Sequence, residues 1–153
     1  MGVLAIYTVT TSRSGLKKAE RKLDKAGEDY AIISVRGIGE RRPYLVQESR
    51  RLHRIDSLFL VFDDICPTRG HGTLMKEHHA KSIVDFVERN SDKIIICQCE
   101  AGQSRSFAIA AAIQKHLYDD STLSEMLPSD ASKYVYDMIG VEYETKEGSG
   151  EVV

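Results

Sequence analysis

Between Ile94 and Gln114 an apolar run, a short glycine- and serine-containing loop and a second apolar run follow one another, and this unit constrains the fold more than any other part of the chain. The first run, Ile94-Ile-Ile-Cys-Gln98, has strand character, and the second, Phe107-Ala-Ile-Ala-Ala-Ala-Ile-Gln114, has helical character. A strand feeding a loop and then a helix aims several backbone N–H groups, together with the positive end of the helix dipole, into one small concavity. Such a concavity suits a phosphate dianion. The loop places Cys99 and Arg105 at its two ends with five residues between them, Gly102 in its interior and Ser106 just beyond. A thiolate at the bottom of that cup can attack phosphorus, and a guanidinium at its end can fork onto two phosphate oxygens.

The remainder of the chain repeats the same alternation. Leu4 to Thr10 reads as a strand, and Ser14 to Lys25, with a serine cap candidate and apolar residues at Leu16, Ala19 and Leu23, as a surface helix. A second strand is expected over Ala31–Val35 and a third over Leu58–Phe62, with the arginine-rich stretch from Glu40 to Arg54 between them as a loop and a short helix. Met75 to Arg89 carries a helical apolar stripe through Ile83, Val84, Phe86 and Val87. Strand and helix alternating in this way imply parallel strands joined by crossovers, hence an α/β domain with a mostly parallel central sheet of about four or five strands and helices on both faces. A last helix opens at Pro128, Ser129 and Asp130 and is expected to end at Gly140. Residues 1–141 form the single expected domain, and the charged, Gly- and Ser-containing segment 142–153 reads as a disordered tail.

Composition removes several classes of function. A net charge of −2 gives no general attraction to nucleic acid or to an anionic membrane, so anion binding has to be local. No apolar stretch approaches the roughly 20 residues of a membrane span. The Met1–Ile6 segment lacks a basic leader and a cleavage site, and reads as a strand rather than a signal peptide. Three cysteines, Cys66, Cys97 and Cys99, form no regular framework and suit a reducing compartment. The expectation is a cytoplasmic, monomeric protein without a nucleic-acid or membrane partner.

Cys99-Glu-Ala-Gly-Gln-Ser-Arg105-Ser106 resembles the signature loop of the cysteine-dependent protein tyrosine and dual-specificity phosphatases, and its interior is most similar to the small dual-specificity members. The resemblance is dense from Leu58 to Gln114 and thin elsewhere. It implies a phosphatase fold over residues 1–140 and hydrolysis of a phosphomonoester through a phosphocysteine intermediate. Cys99 would be the nucleophile. Glu100, Ala101, Gly102, Gln103 and Ser104 would cradle the phosphate together with Arg105, and Ser106 would make the sulfur a better leaving group. The family's general acid is an upstream aspartate on a loop. Asp64, directly after the third strand and close to Pro67, is the first choice, Asp63 the close alternative, and Asp56, expected before the strand, a poor third. No metal or organic cofactor is implied. One position departs from the family pattern, since Gln98 stands where most members carry histidine.

The loop interior also bears on the substrate. It contains no lysine and one carboxylate, Glu100, which disfavours polyanionic lipids and favours a phosphoprotein carrying phosphotyrosine, with or without phosphoserine and phosphothreonine. Two other classes share an anion loop of this kind: a silent phosphopeptide-binding module on the same fold, and a thiol enzyme of the arsenate reductase or sulfurtransferase type. The histidines and cysteines lack the spacing of a zinc site. The arginines from Arg36 to Arg54 read as a solvated face, or as a docking rim for an acidic phosphopeptide.

Overall fold

A computed structural model describes residues 8–43, 45 and 53–150. The strands are β1 (Thr8–Thr11), β2 (Tyr30–Arg36), β3 (Arg54–Val61) and β4 (Ile94–Gln98), and the helices are α1 (Leu16–Ala26), α2 (Glu77–Arg89), α3 (Arg105–Tyr118) and α4 (Asp130–Gly150). The strands pair in the order β1-β4-β2-β3, and every pairing is parallel. The mostly parallel α/β sheet of four or five strands expected from the alternation is observed with four strands, all parallel, among the described residues.

The sequence of β2 explains its central place. Tyr30-Ala-Ile-Ile-Ser-Val35 is buried throughout, as a parallel strand covered on both faces must be. Alternate side chains then serve two cores. Tyr30 and Ile32 pack with Ile96 and Leu16 of α1, whereas Ala31, Ile33 and Val35 join Ile95 and Cys97 beneath α2, α3 and α4. Helices therefore cover both faces, with one on the first and three on the second. The strand order has a functional corollary. β1 leads into α1 on one face, while its neighbour β4 leads into α3 on the other, so the two connections diverge and leave a crevice at the carboxyl ends of these strands.

Three expectations about the elements change. The first strand begins no earlier than Thr8 among the described residues, and 1–7 lie outside them, as do 46–52, where a short helix was expected. Asp56 lies inside β3, not before it, and accepts hydrogen bonds from Arg89 Nε and Asn90 Nδ2, both at 2.9 Å. The expected disordered tail from residue 142 is helical through Gly150, and Gly140 lies within α4 instead of capping it. Packing overrides the glycine signal here. Tyr143 is buried in the main core with its ring stacked 5.0 Å from that of His116, and Lys146 reaches Asp85 and Glu88 on α2.

Candidate functional site

Cys99 follows the last residue of β4 and lies 2% exposed at the floor of the crevice. Its carbonyl is fixed by Gln98, whose Nε2 donates to it at 2.9 Å and whose Oε1 accepts the Ser34 hydroxyl of β2. Gln98 thus supplies a neutral, buried tie between two strands at the position noted as a departure from the resembled pattern. From Cys99 the chain turns through Gly102, which takes a φ of 73°, and enters α3 at Arg105. A side chain at Gly102 would be both strained and obstructed, since its Cβ would stand 2.6 Å from the Thr11 carbonyl carbon.

The turn directs polar hydrogens at one sulfur. The Ser106 hydroxyl lies 3.2 Å from Cys99 Sγ. Burial on its own pushes the Cys99 thiol up, but the Ser106 hydroxyl and the backbone N–H groups of Ser106, Ser104 and Gly102 all stabilise the anion, and the balance holds the thiol below its ordinary value. The result is a buried sulfur in a ring of donors, with its acidity shifted in the direction that favours a nucleophilic cysteine.

Arg105 is buried at the other end of the loop and is held by two groups. Its Nη1 donates to the Phe62 carbonyl at 3.0 Å, and its Nη2 lies 2.9 Å from Glu40 Oε1. Its Nε is buried and has no hydrogen-bond partner among the described residues. Glu40 is itself anchored, because its Oε1 accepts the Gly37 N–H at 2.6 Å. The Phe62 ring packs against His79, centroids 5.1 Å apart, and the Nδ1 of His79 accepts the Lys76 N–H at 2.8 Å at the start of α2. The end of β3, the start of α2 and the guanidinium are thereby linked.

The two neighbouring aspartates have different partners. Asp63 is committed to its own loop, with Oδ2 accepting the Thr73 N–H at 2.6 Å and its backbone N–H donating to the Thr73 carbonyl at 2.7 Å. Asp64 is exposed and turns to the cysteine loop, where its Oδ1 accepts the Ser104 hydroxyl at 2.7 Å. Ser104 is the N-cap residue of α3 but makes no side-chain cap, because its hydroxyl goes to Asp64. A cleft of about 450 Å³ opens beside Asp64, lined by Arg69, Gly70 and the Pro128–Ala131 segment that leads into α4.

Cys99, Ser106, Ser104, Gly102 and Asp64 lie together around the loop that ends at Arg105. Three contributors were not foreseen. Glu40 sits in the arginine-rich stretch and carries no local signal of its pairing with Arg105. Ser34 is one polar residue in a strand of apolar ones. Arg13, in the turn between β1 and α1, spans both carboxylate oxygens of Glu100 with its Nε, at 3.3 and 3.1 Å. That last contact alters the reading of loop charge, since Glu100 presents a compensated carboxylate and not a bare one.

No family model matches the chain, and no curated protein is significantly similar to it in sequence. Solved structures do match. PTPMT1 in complex with PI(5)P superposes with a TM-score of 0.61 at 15% identity, covering 92% of this chain and 94% of that one. Human tyrosine phosphatase-like serine/threonine/tyrosine-interacting protein gives a TM-score of 0.57 at 19% identity, with 90% and 91% covered. Human DUSP28 gives 0.55 at 13% identity, with 96% and 97% covered. The fold is that of the dual-specificity phosphatases.

Proposed function

We propose that the protein is a phosphomonoester hydrolase of the cysteine-dependent phosphatase type, acting on phosphoprotein through a phosphocysteine intermediate. The observation that carries this reading is the Cys99 sulfur, buried yet facing a hydroxyl and three backbone N–H groups of one loop that hold its pKa below the ordinary thiol value. In the first step Cys99 attacks phosphorus while the loop N–H groups from Glu100 to Ser104 and the unengaged Nε of Arg105 take the equatorial oxygens. With Nη1 on Phe62 and Nη2 on Glu40, the guanidinium keeps its orientation before substrate arrives.

Asp64 protonates the departing oxygen. Of the two candidates it is the one that touches the loop, whereas Asp63 is spent on Thr73. In the second step Asp64 removes a proton from water, the water oxygen attacks phosphorus, and the phosphorus–sulfur bond breaks. Ser106 then stabilises the leaving thiolate through its 3.2 Å contact.

Support for a phosphoprotein substrate comes from charge and space. Glu100 is matched by Arg13 and Arg105 by Glu40, so the loop offers its N–H groups and one guanidinium to a single phosphate and has no surplus cation for a second. The cleft beyond Asp64 leaves room for chain flanking a phosphorylated residue. A phosphoinositide is the second reading, favoured by the PI(5)P complex of PTPMT1.

Vanadate-sensitive hydrolysis of p-nitrophenyl phosphate by the wild type, absent in Cys99→Ser, is the expected result. An inactive wild type that still binds phosphotyrosyl peptide would instead identify a silent binding module. A panel of phosphotyrosyl peptide, phosphoseryl peptide and short-chain phosphatidylinositol phosphate separates the substrate classes by kcat/KM, with phosphotyrosyl peptide expected to lead.

A further inference from the structure

We infer that Arg13 and Glu100 form a latch that holds the anion loop in the conformation in which its N–H groups face Cys99, which makes Arg13 a positioning residue for the proposed reaction. The inference rests on the phosphatase reading for its chemistry, but its geometry stands apart. Glu100 is the first residue after the cysteine. Its peptide unit decides whether the loop begins with a carbonyl turned away from the sulfur or toward it, and a carbonyl turned inward would oppose the thiolate with the negative end of a dipole.

Arg13 grips Glu100 at both levels. Its backbone N–H donates to the Glu100 carbonyl at 3.0 Å, and its Nε spans the two carboxylate oxygens at 3.3 and 3.1 Å. A second contact lies close by, where Gly102 packs so tightly against the backbone of Thr11 and Ser12 that a Cβ would come within 2.6 and 2.8 Å of their atoms. The gripping turn is itself braced, with the Gly15 N–H donating to Ser12 Oγ at 3.0 Å and Cys99 N–H donating to the Thr11 carbonyl at 3.4 Å. The loop is thus registered at Cys99, Glu100 and Gly102 against a single short turn, and of these points only Glu100 adds a side-chain contact to its backbone one.

The pair is partly solvated, 25% and 42% exposed, so it adds little to global stability. A latch and a mere surface ion pair therefore differ in what they move. The experiment follows the pH dependence of Cys99 alkylation by iodoacetamide, vanadate affinity and thermal midpoint in the full chain. The variants are Arg13→Ala, the doubly neutral Arg13→Ala/Glu100→Gln and the reversed Arg13→Glu/Glu100→Arg.

The latch predicts that Arg13→Ala weakens vanadate binding about tenfold and raises the alkylation midpoint by about one pH unit with little change in thermal midpoint. The doubly neutral variant stays impaired, and the reversed pair recovers toward wild type. Wild-type vanadate affinity and alkylation midpoint in Arg13→Ala would overturn the inference. So would full recovery in the doubly neutral variant, because the defect would then be only the unpaired Glu100 charge. Failure of the phosphatase reading shows separately, in the wild type alone, as absent p-nitrophenyl phosphate hydrolysis; failure of the latch shows only as variants that match an active wild type.

Discussion

Cys97 and Cys99 are two positions apart in the chain and are buried to nearly the same degree, at 0% and 2% exposure, yet their acidities move in opposite directions. Burial pushes the Cys97 thiol far up, and the neighbouring Cys99 charge adds to the effect. Burial pushes Cys99 up as well, but the donors of the loop more than reverse it. The difference lies in where the backbone N–H groups point. In β4 they lie in the plane of the sheet and are consumed by the strands on either side, whereas after Gln98 the chain curls and turns them toward one sulfur. Desolvation alone makes a cysteine inert, and it is the directed donors that make one reactive.

The largest expected difference between the two sites is in turnover. Cys99→Ser is expected to reduce kcat for p-nitrophenyl phosphate by about four orders of magnitude or more, while Cys97→Ala leaves it within about twofold. Equal losses in both would break the contrast. Next in size is the effect of the acid. Asp64→Asn is expected to reduce kcat for a phosphotyrosyl substrate about 100-fold, and much less for p-nitrophenyl phosphate, whose leaving group needs little protonation. Asp63→Asn acts through the Thr73 tether and shows first as a lowered thermal midpoint. If Asp63→Asn gave the leaving-group dependence, the assignment of the two carboxylates would be reversed.

Smaller and of opposite sign at the two cysteines is the coupling of ionisation to stability. Between the lowered folded value of Cys99 and about 8.5 in the unfolded chain, the unfolded state retains a proton that the folded state has released. Stability from Cys99 therefore rises with pH across that window, by up to about 1.4 kcal/mol per unit, and is lost as pH falls through the folded value. Cys97 acts in reverse, its contribution being present below about pH 8.5 and eroding above it. Urea midpoints taken across this range in wild type and Cys99→Ser isolate the first effect, and the variant is expected to lack the rise. Of similar size is the packing cost of Cys97→Ala, about 1–2 kcal/mol of unfolding free energy for a small cavity under the helices.

The same distinction between local and distant determinants explains what could be seen in the sequence. The β4–loop–α3 unit was legible because its chemistry and its conformation are written in one continuous segment, from Ile94 to Ile113. Asp64 and Asp63 were legible as a pair through the family resemblance and their place after a recognisable strand, and only the folded chain distinguishes their partners, Ser104 and Thr73. Glu40 and Arg13 were not, because each works through a partner that folding brings from far along the chain, Arg105 and Glu100 respectively. The tail was misjudged for a related reason. Gly140, Gly148 and Gly150 argue against a helix locally, but Tyr143 and Lys146 gain their partners from α3 and α2, and tertiary contacts decide the matter.

The intermediate itself gives the most direct test. Asp64→Asn, mixed with p-nitrophenyl phosphate, quenched in acid within the first turnovers and digested for mass spectrometry, should carry a phosphoryl group on the peptide containing Cys99. The substitution leaves attack on an activated ester possible but removes the base that hydrolyses the adduct. Release of p-nitrophenol with no phosphoryl group on Cys99, or with the group on another residue, would contradict the account.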